Sequence, residues 1–130
     1  MGEAGLMKDN ILEVFTTAVN KYDFSLDITL NVKGAVITGT MISAKEYFES
    51  LSEVFEEGND IAQTLSGQLS QAGEAAENSN DSEANFIHMQ NTKVYCGDTK
   101  PTPSQGEVLW RGKMNEVDGF FLGKIHDSNA

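Results

Sequence analysis

The chain has 130 residues, of which 39% are hydrophobic, and it carries a formal net charge of −11. This length predicts one domain with a buried core, and the absence of any run of roughly 18 apolar residues excludes a membrane-spanning helix. The acidic balance disfavours nonspecific binding to nucleic acid or anionic lipid, because both are polyanions. The single cysteine, Cys96, cannot form an internal disulfide, which fits a reducing cytoplasm.

The N-terminal part of the chain predicts a helix. Residues 1–7 are expected to form a flexible leader, and residues 6–22 have the pattern of an amphipathic helix that Asp9 or Asn10 can cap. Apolar side chains recur there at three- and four-residue spacings, at Ile11, Phe15, Ala18, Val19 and Tyr22. This stripe indicates a helix that packs on a core.

A β-hairpin is predicted next. Residues 24–32 alternate strictly between apolar and polar side chains, which is typical of a half-buried antiparallel strand. Gly34 supplies a tight turn, and residues 35–42 form the returning strand. Gly39 lies within that strand and predicts a bend or a bulge. The helix and these two strands make up residues 8–43.

The acidic residues concentrate in the next stretch. Residues 46–85 carry half of the 20 acidic residues and no Lys or Arg, whereas the flanking parts are nearly neutral. Ser43 and Glu46 have the spacing of a capping box, which predicts the start of a helical insertion over residues 44–69. Residues 70–85 lack aromatic and β-branched side chains, so they predict a flexible acidic loop.

The C-terminal part predicts three strands over residues 86–125, with a turn signal at Asp118 and Gly119, and a polar tail over residues 126–130. The fold class is therefore α+β: a small five-stranded antiparallel barrel, Sm-like or SH3-like, with an N-terminal helix and a helical acidic insertion between the second and third strands. Short curved strands joined by tight turns usually close into a barrel, which removes exposed edges.

No pattern indicates catalysis, a metal site or a cofactor. His88, Cys96 and His126 are scattered, and His88 and Cys96 lie about 27 Å apart on an extended strand. No serine or cysteine has the local neighbours of a nucleophile. An RNA-binding alternative has only Trp110, Arg111 and Lys113 as a grouping of aromatic and basic side chains, and the acidic insertion would repel a phosphate backbone.

The helical insertion predicts an interaction surface. Its apolar side chains offer more area than a small barrel needs on one side, which is typical of partner binding or self-association. The alternative is a solvated acidic face that only keeps the protein soluble. The candidate protein-interaction residues are Tyr47, Phe48, Leu51, Val54, Phe55 and, between core and surface, Trp110.

Long blocks of the chain also resemble a known family. These blocks are Phe24–Val32, Gly34–Phe48, Phe86–His88, Asn91–Lys93, Tyr95–Asp98, Trp110–Lys113 and Glu116–Lys124. The sequence from about Lys8 to Ile125 resembles the GvpU family of gas vesicle accessory proteins. The leader and residues 66–85 fit that family least closely.

The resemblance implies a non-catalytic cytoplasmic protein that associates with gas vesicles and influences their clustering or assembly. The implied partners are the gas vesicle shell or other gas vesicle proteins, together with further copies of this chain, and the resemblance implies neither a cofactor nor a nucleic acid partner. Weak multivalent contacts would then gather vesicles. An Sm-like RNA-binding protein or a generic adaptor is the alternative.

Overall fold

A computed structural model describes residues 9–77, 85–97 and 100–125. Three helices and five strands follow one another in an α+β arrangement. The helices are α1 (Asn10–Tyr22), α2 (Ala44–Val54) and α3 (Asp60–Glu77). The strands are β1 (Leu26–Val32), β2 (Ala35–Ile42), β3 (Phe86–Tyr95), β4 (Val108–Lys113) and β5 (Gly119–Leu122), and a 3₁₀ turn at Met114–Glu116 separates the last two. The predicted leader and the tail after residue 125 lie outside the described residues.

The first helix begins where the sequence predicts. The Asp9 carboxylate accepts hydrogen bonds from the backbone N–H groups of Ile11 at 2.8 Å and Leu12 at 3.2 Å. These bonds satisfy two of the amides that have no partner inside the helix. The helix ends at Asp23, whose φ of 55° lies in the left-handed region. Asp9 is thus confirmed as the cap.

The five strands form one antiparallel sheet with the order β4-β3-β2-β1-β5. The first two strands pair from Leu26 opposite Met41 to Val32 opposite Ala35, which confirms the predicted hairpin. Lys33 and Gly34 both have positive φ, the conformation that a two-residue turn between antiparallel strands requires. The sheet therefore grows outward from this central hairpin.

The predicted closure into a barrel is wrong. The pairings of the described strands leave β4 and β5 as the two edges of an open sheet, with no ladder between them. Only the 3₁₀ turn and two further residues join these edges, so the sheet must curve strongly. Curvature alone does not close a sheet, because closure also needs the edge strands to come into hydrogen-bonding register.

A bulge opposite Gly39 provides part of this curvature. The register between β2 and β3 shifts between Thr38 and Thr40, and Asn91 on the facing strand has a positive φ of 53°. A Cβ atom at Gly39 would lie only 2.7 Å from Thr92 Oγ1 and 2.9 Å from the carbonyl oxygen of Gln90. The backbones approach this closely only because position 39 lacks a side chain, which confirms the predicted bulge.

One face of the sheet holds the core, and α1 covers it. The fully enclosed cluster comprises Leu12, Val19, Ile28, Leu30, Ile37, Met41, Ile87, Met89 and Met114. The ring of Phe15 on α1 meets the ring of Phe120 on β5 edge to face, with their centroids 6.2 Å apart. Burial of these apolar side chains is the dominant favourable contribution to folding.

The opposite face has two separate covers. Over β1 and β2, the segment after β5 folds back and binds two buried threonines. The N–H of Ile125 donates to Thr38 Oγ1, Thr38 is 2.8 Å from Thr29 Oγ1, and Thr29 donates to the carbonyl of Gly123. Over β3 and β4, the cover is the first part of α2.

The helical insertion is a hairpin of α2 and α3, longer than the sequence predicts. Ser43 Oγ accepts a hydrogen bond from the N–H of Glu46 at 3.0 Å, which confirms the predicted cap of α2. Helix α3 continues to Glu77, so the predicted loop over residues 70–85 is wrong for its first part. Alanine, glutamine and glutamate are strong helix formers, and this propensity outweighs the shortage of apolar side chains. Residues 78–84 lie outside the described residues.

Candidate functional site

The hairpin joins the sheet at a cluster of rings around His88. This histidine on β3 is only 1% exposed. Its ring centroid lies 4.9 Å from that of Tyr47 and 5.7 Å from that of Phe48, both in the first turns of α2. The two aromatic side chains therefore attach the hairpin to the sheet.

An arginine completes this junction. Arg111 lies opposite His88 in the pairing of β3 and β4, and its Nε donates to His88 Nε2 at 3.0 Å. The guanidinium also lies over the ring of Phe86, with its central carbon 4.0 Å from the ring centroid, and 5.5 Å from that of Phe48. Burial, and secondly the charge of Arg111, lower the pKa of His88 to about 3. His88 is therefore neutral at physiological pH, and its Nε2 accepts the hydrogen bond from Arg111.

The two helices of the hairpin meet along a seam of small side chains. Ser52 Oγ lies 3.0 Å from Ser66 Oγ and 3.1 Å from Ser70 Oγ. Gly73 lies so close to α2 that a Cβ there would be 3.3 Å from the carbonyl oxygen of Lys45. Serine and glycine let the helices approach closely but bury little apolar area. The larger apolar side chains of α3 consequently lie outside the seam.

The seam fixes where these larger side chains lie. Successive residues of a helix turn by about 100°. With Ser52 facing Ser66, this rotation places Leu65 and Ile61 of α3 on the same side of the hairpin as Tyr47 of α2, which is the side that meets the sheet. The sheet reaches only the first turns of α2. Ile61 is 72% exposed and Leu65 is 41% exposed.

We call this uncovered apolar surface the hairpin face. The exposed side chains of Ile61 and Leu65 form its centre, the half-buried Leu51, Phe55 and Leu69 complete it, and Val54, 67% exposed, lies at its margin. The rotation that places these residues on one side places the carboxylates on the other. The exposed acidic residues of that other side are Glu49 and Glu53 on α2 and Asp60 on α3, whereas Glu56 and Glu57 are exposed in the turn between the helices. The hairpin is therefore amphipathic, with an apolar side and an acidic side.

The candidate residues from the sequence divide between the junction and the hairpin face. Tyr47 and Phe48 pack at the junction, whereas Leu51, Val54 and Phe55 belong to the hairpin face or its margin. Trp110 lies elsewhere, packed against the core and over Gly112. Trp110 and Arg111, two of the three side chains behind the RNA-binding alternative, therefore make contacts within the fold.

Sequence reasoning did not assign Ile61 and Leu65 to the surface. It treated His88 as an ordinary strand residue and considered Arg111 only in the RNA-binding alternative. One signal was available for α3. Residues 61–73 contain no charged side chain in a chain of net charge −11, and Ile61 and Leu65 are four residues apart. A solvent-exposed helix normally carries charges, so an uncharged one indicates a covered face.

Across the residues that the structure describes, no three His, Cys, Asp or Glu side chains are arranged to hold a metal ion. No helix in the same ranges has the length and apolar character to cross a membrane. The hairpin face is one of the exposed apolar surfaces in these parts of the chain, beside Val14 and Tyr22 on α1 and Phe121 on β5. An exposed apolar helical face is the kind of site found in proteins that bind other proteins.

Comparison with known families identifies the class of protein. The model of the family described as gas vesicle protein GvpU-like matches residues 9–125, which is most of the chain. The chain therefore belongs to the GvpU-like family, as the resemblance of its sequence blocks implied. No curated protein and no solved structure matches.

Proposed function

We propose that this protein is a cytoplasmic gas vesicle accessory protein that associates with vesicles and regulates their clustering through weak, multivalent contacts between its own copies. Family membership over residues 9–125 is the observation that carries the proposal. The hairpin face adds a physical means, because it is an apolar surface that the sheet leaves uncovered.

The expected contact is weak and reversible. Burial of roughly 400 Å² of apolar surface is worth on the order of 10 kcal/mol before costs. Loss of translational and rotational freedom offsets much of this gain. One contact then has low affinity, whereas many copies on a vesicle surface together hold two vesicles by avidity. Such a system can gather and release vesicles without a permanent bond.

Flotation tests the association with vesicles. Full-length protein is mixed with purified buoyant vesicles and centrifuged at low speed. We expect the protein to rise with the floating layer and, after the vesicles have been collapsed by pressure, to sediment with the debris. An unrelated protein of similar net charge serves as the control and stays in the bulk. Recovery of the protein in the bulk alongside this control would contradict the proposal.

A further inference from the structure

The hairpin face needs a second layer that the described part of the chain does not supply. A pair of helices buries an apolar side only against another layer of structure. The junction covers the side that Tyr47 and Phe48 occupy, whereas Ile61 and Leu65 lie beyond it. A partner that covers these residues must present an apolar face of similar length.

We infer that the partner is the hairpin face of a second copy, so that two hairpins pack as a four-helix bundle with twofold symmetry. The inference deepens the proposed function, on which it rests for its cellular role, by naming the surface of the contact between copies. The contact is isologous, because the same face serves on both copies. It places two small-residue seams side by side in a bundle of four helices.

Charge selects a copy of this chain over a basic partner. Residues 61–73 carry no charged side chain, so Lys or Arg residues beside an apolar stripe would find no carboxylate along this part of α3. The exposed helical carboxylates of Glu49, Glu53 and Asp60 lie on the other side of the hairpin, and those of Glu56 and Glu57 lie in the turn between the helices. Face-to-face packing of two copies leaves the carboxylates of Glu49, Glu53 and Asp60 in water, where they avoid the cost of burial.

The same charges predict how the contact responds to salt. Residues 46–85, which include most of the hairpin, carry half of the acidic residues and no Lys or Arg, and Lys45 is the one basic side chain in α2, so two paired hairpins repel at long range. Salt screens this repulsion over distances of about 10 Å at 0.1 M. Association of two copies therefore strengthens as salt is added, whereas binding of a basic partner would weaken.

Sedimentation velocity of the full-length protein, without vesicles, tests this inference. We expect the association constant to rise about tenfold between roughly 20 mM and 500 mM salt, because salt screens the repulsion between like charges. A double variant, Ile61→Glu with Leu65→Glu, should lose association at least about a hundredfold, because carboxylates would be buried in the contact. Exchange of both residues for serine removes apolar area without adding charge and should also weaken the contact.

Gln71→Glu is the matched control. Gln71 is exposed on the same helix, and the helical rotation from Gly73 turns it away from the hairpin face. Its added carboxylate should change the association constant less than about threefold, because it faces water. Circular dichroism should show that all variants keep their helices, since Ile61 and Leu65 are exposed in the single copy.

The outcomes separate this inference from the proposed function. A monomer at every salt concentration, weakening by salt, or equal effects of the glutamate variants and the control would each overturn the self-contact. If the protein then still floats with vesicles, association with vesicles stands and the contact between copies lies on another surface. If the protein dimerises as expected but never floats, the dimer stands and the proposed function fails.

Discussion

Gly39→Ala is expected to destabilise the protein by about 3 kcal/mol, within the range for overpacking a buried site. The added Cβ would meet Thr92 Oγ1 at 2.7 Å, the carbonyl oxygen of Gln90 at 2.9 Å and Thr92 Cα at 3.0 Å. Two of these three atoms are backbone, so a change of side-chain rotamer cannot relieve the contact. The strands must separate at the bulge, and the β2–β3 pairing that underlies the curved sheet weakens.

Urea unfolding followed by circular dichroism measures this effect, and Gly67→Ala is the matched control. No atom lies within 4 Å of a Cβ at Gly67, which is in the interior of α3. Alanine there should stabilise by about 0.5–1 kcal/mol through its higher helix propensity. Equal and small effects at the two glycines would show that the strands do not approach each other as closely as described.

Lowering the pH from 7 to 5 is expected to remove about 2 kcal/mol of stability through His88. Its pKa is about 3 in the folded protein, below the ordinary value of 6.5. The unfolded chain therefore binds a proton on this histidine below pH 6.5, whereas the folded protein does not. Stability falls as the pH drops through the window from 6.5 to 3. Glu46 acts in the opposite direction, because burial, and then the charges of Asp23 and Glu49, raise its pKa.

His88→Gln tests this origin of the pH dependence. The glutamine carbonyl can accept from Arg111 but does not titrate, so the variant should lose stability at pH 7 and show a much flatter change towards pH 5. Urea unfolding at both pH values gives the comparison. The same loss between the two pH values in the variant and the original protein would mean that other groups cause it. Constant stability of the original protein would mean that His88 is not buried as a neutral base.

Local sequence signals predicted most of the fold. Alternation in residues 24–32 defined the first strand, and Asp9 and Ser43 were identified as caps, because strand faces and helix ends depend on nearby residues. Gly39 was identified as a bulge for the same reason. Closure of the sheet depends on the register of two distant edges, which no local pattern encodes, and this prediction failed.

The candidate site was only partly predictable because it depends on how the helices pack. Apolar periodicity showed that α2 has more apolar surface than the core needs. It could not distinguish Tyr47, which packs at the junction, from Val54, which is exposed to solvent. The position of Leu65 follows from the contact between Ser52 and Ser66, which the sequence does not specify. Burial of His88 likewise depends on its pairing with Arg111 across two strands.

The stability measurements and the association measurements test different parts of the structure. Gly39 and His88 report on the sheet and on its junction with the hairpin. The hairpin face lies beyond that junction, so substitutions at Ile61 and Leu65 should change contacts between molecules with little effect on unfolding. If these variants fail to cluster vesicles in cells, the failure can therefore be attributed to lost contacts between molecules and not to unfolding.

Clustering of gas vesicles in cells tests the central claim most directly. Vesicle-forming cells that lack this protein are supplied with the original chain, with Ile61→Glu and Leu65→Glu combined, or with Gln71→Glu, and vesicle clusters are counted by light microscopy at equal protein levels. The account predicts clusters with the original chain and with Gln71→Glu, and dispersed vesicles with the double variant. Clusters that persist with the double variant, or that form equally without the protein, would contradict it.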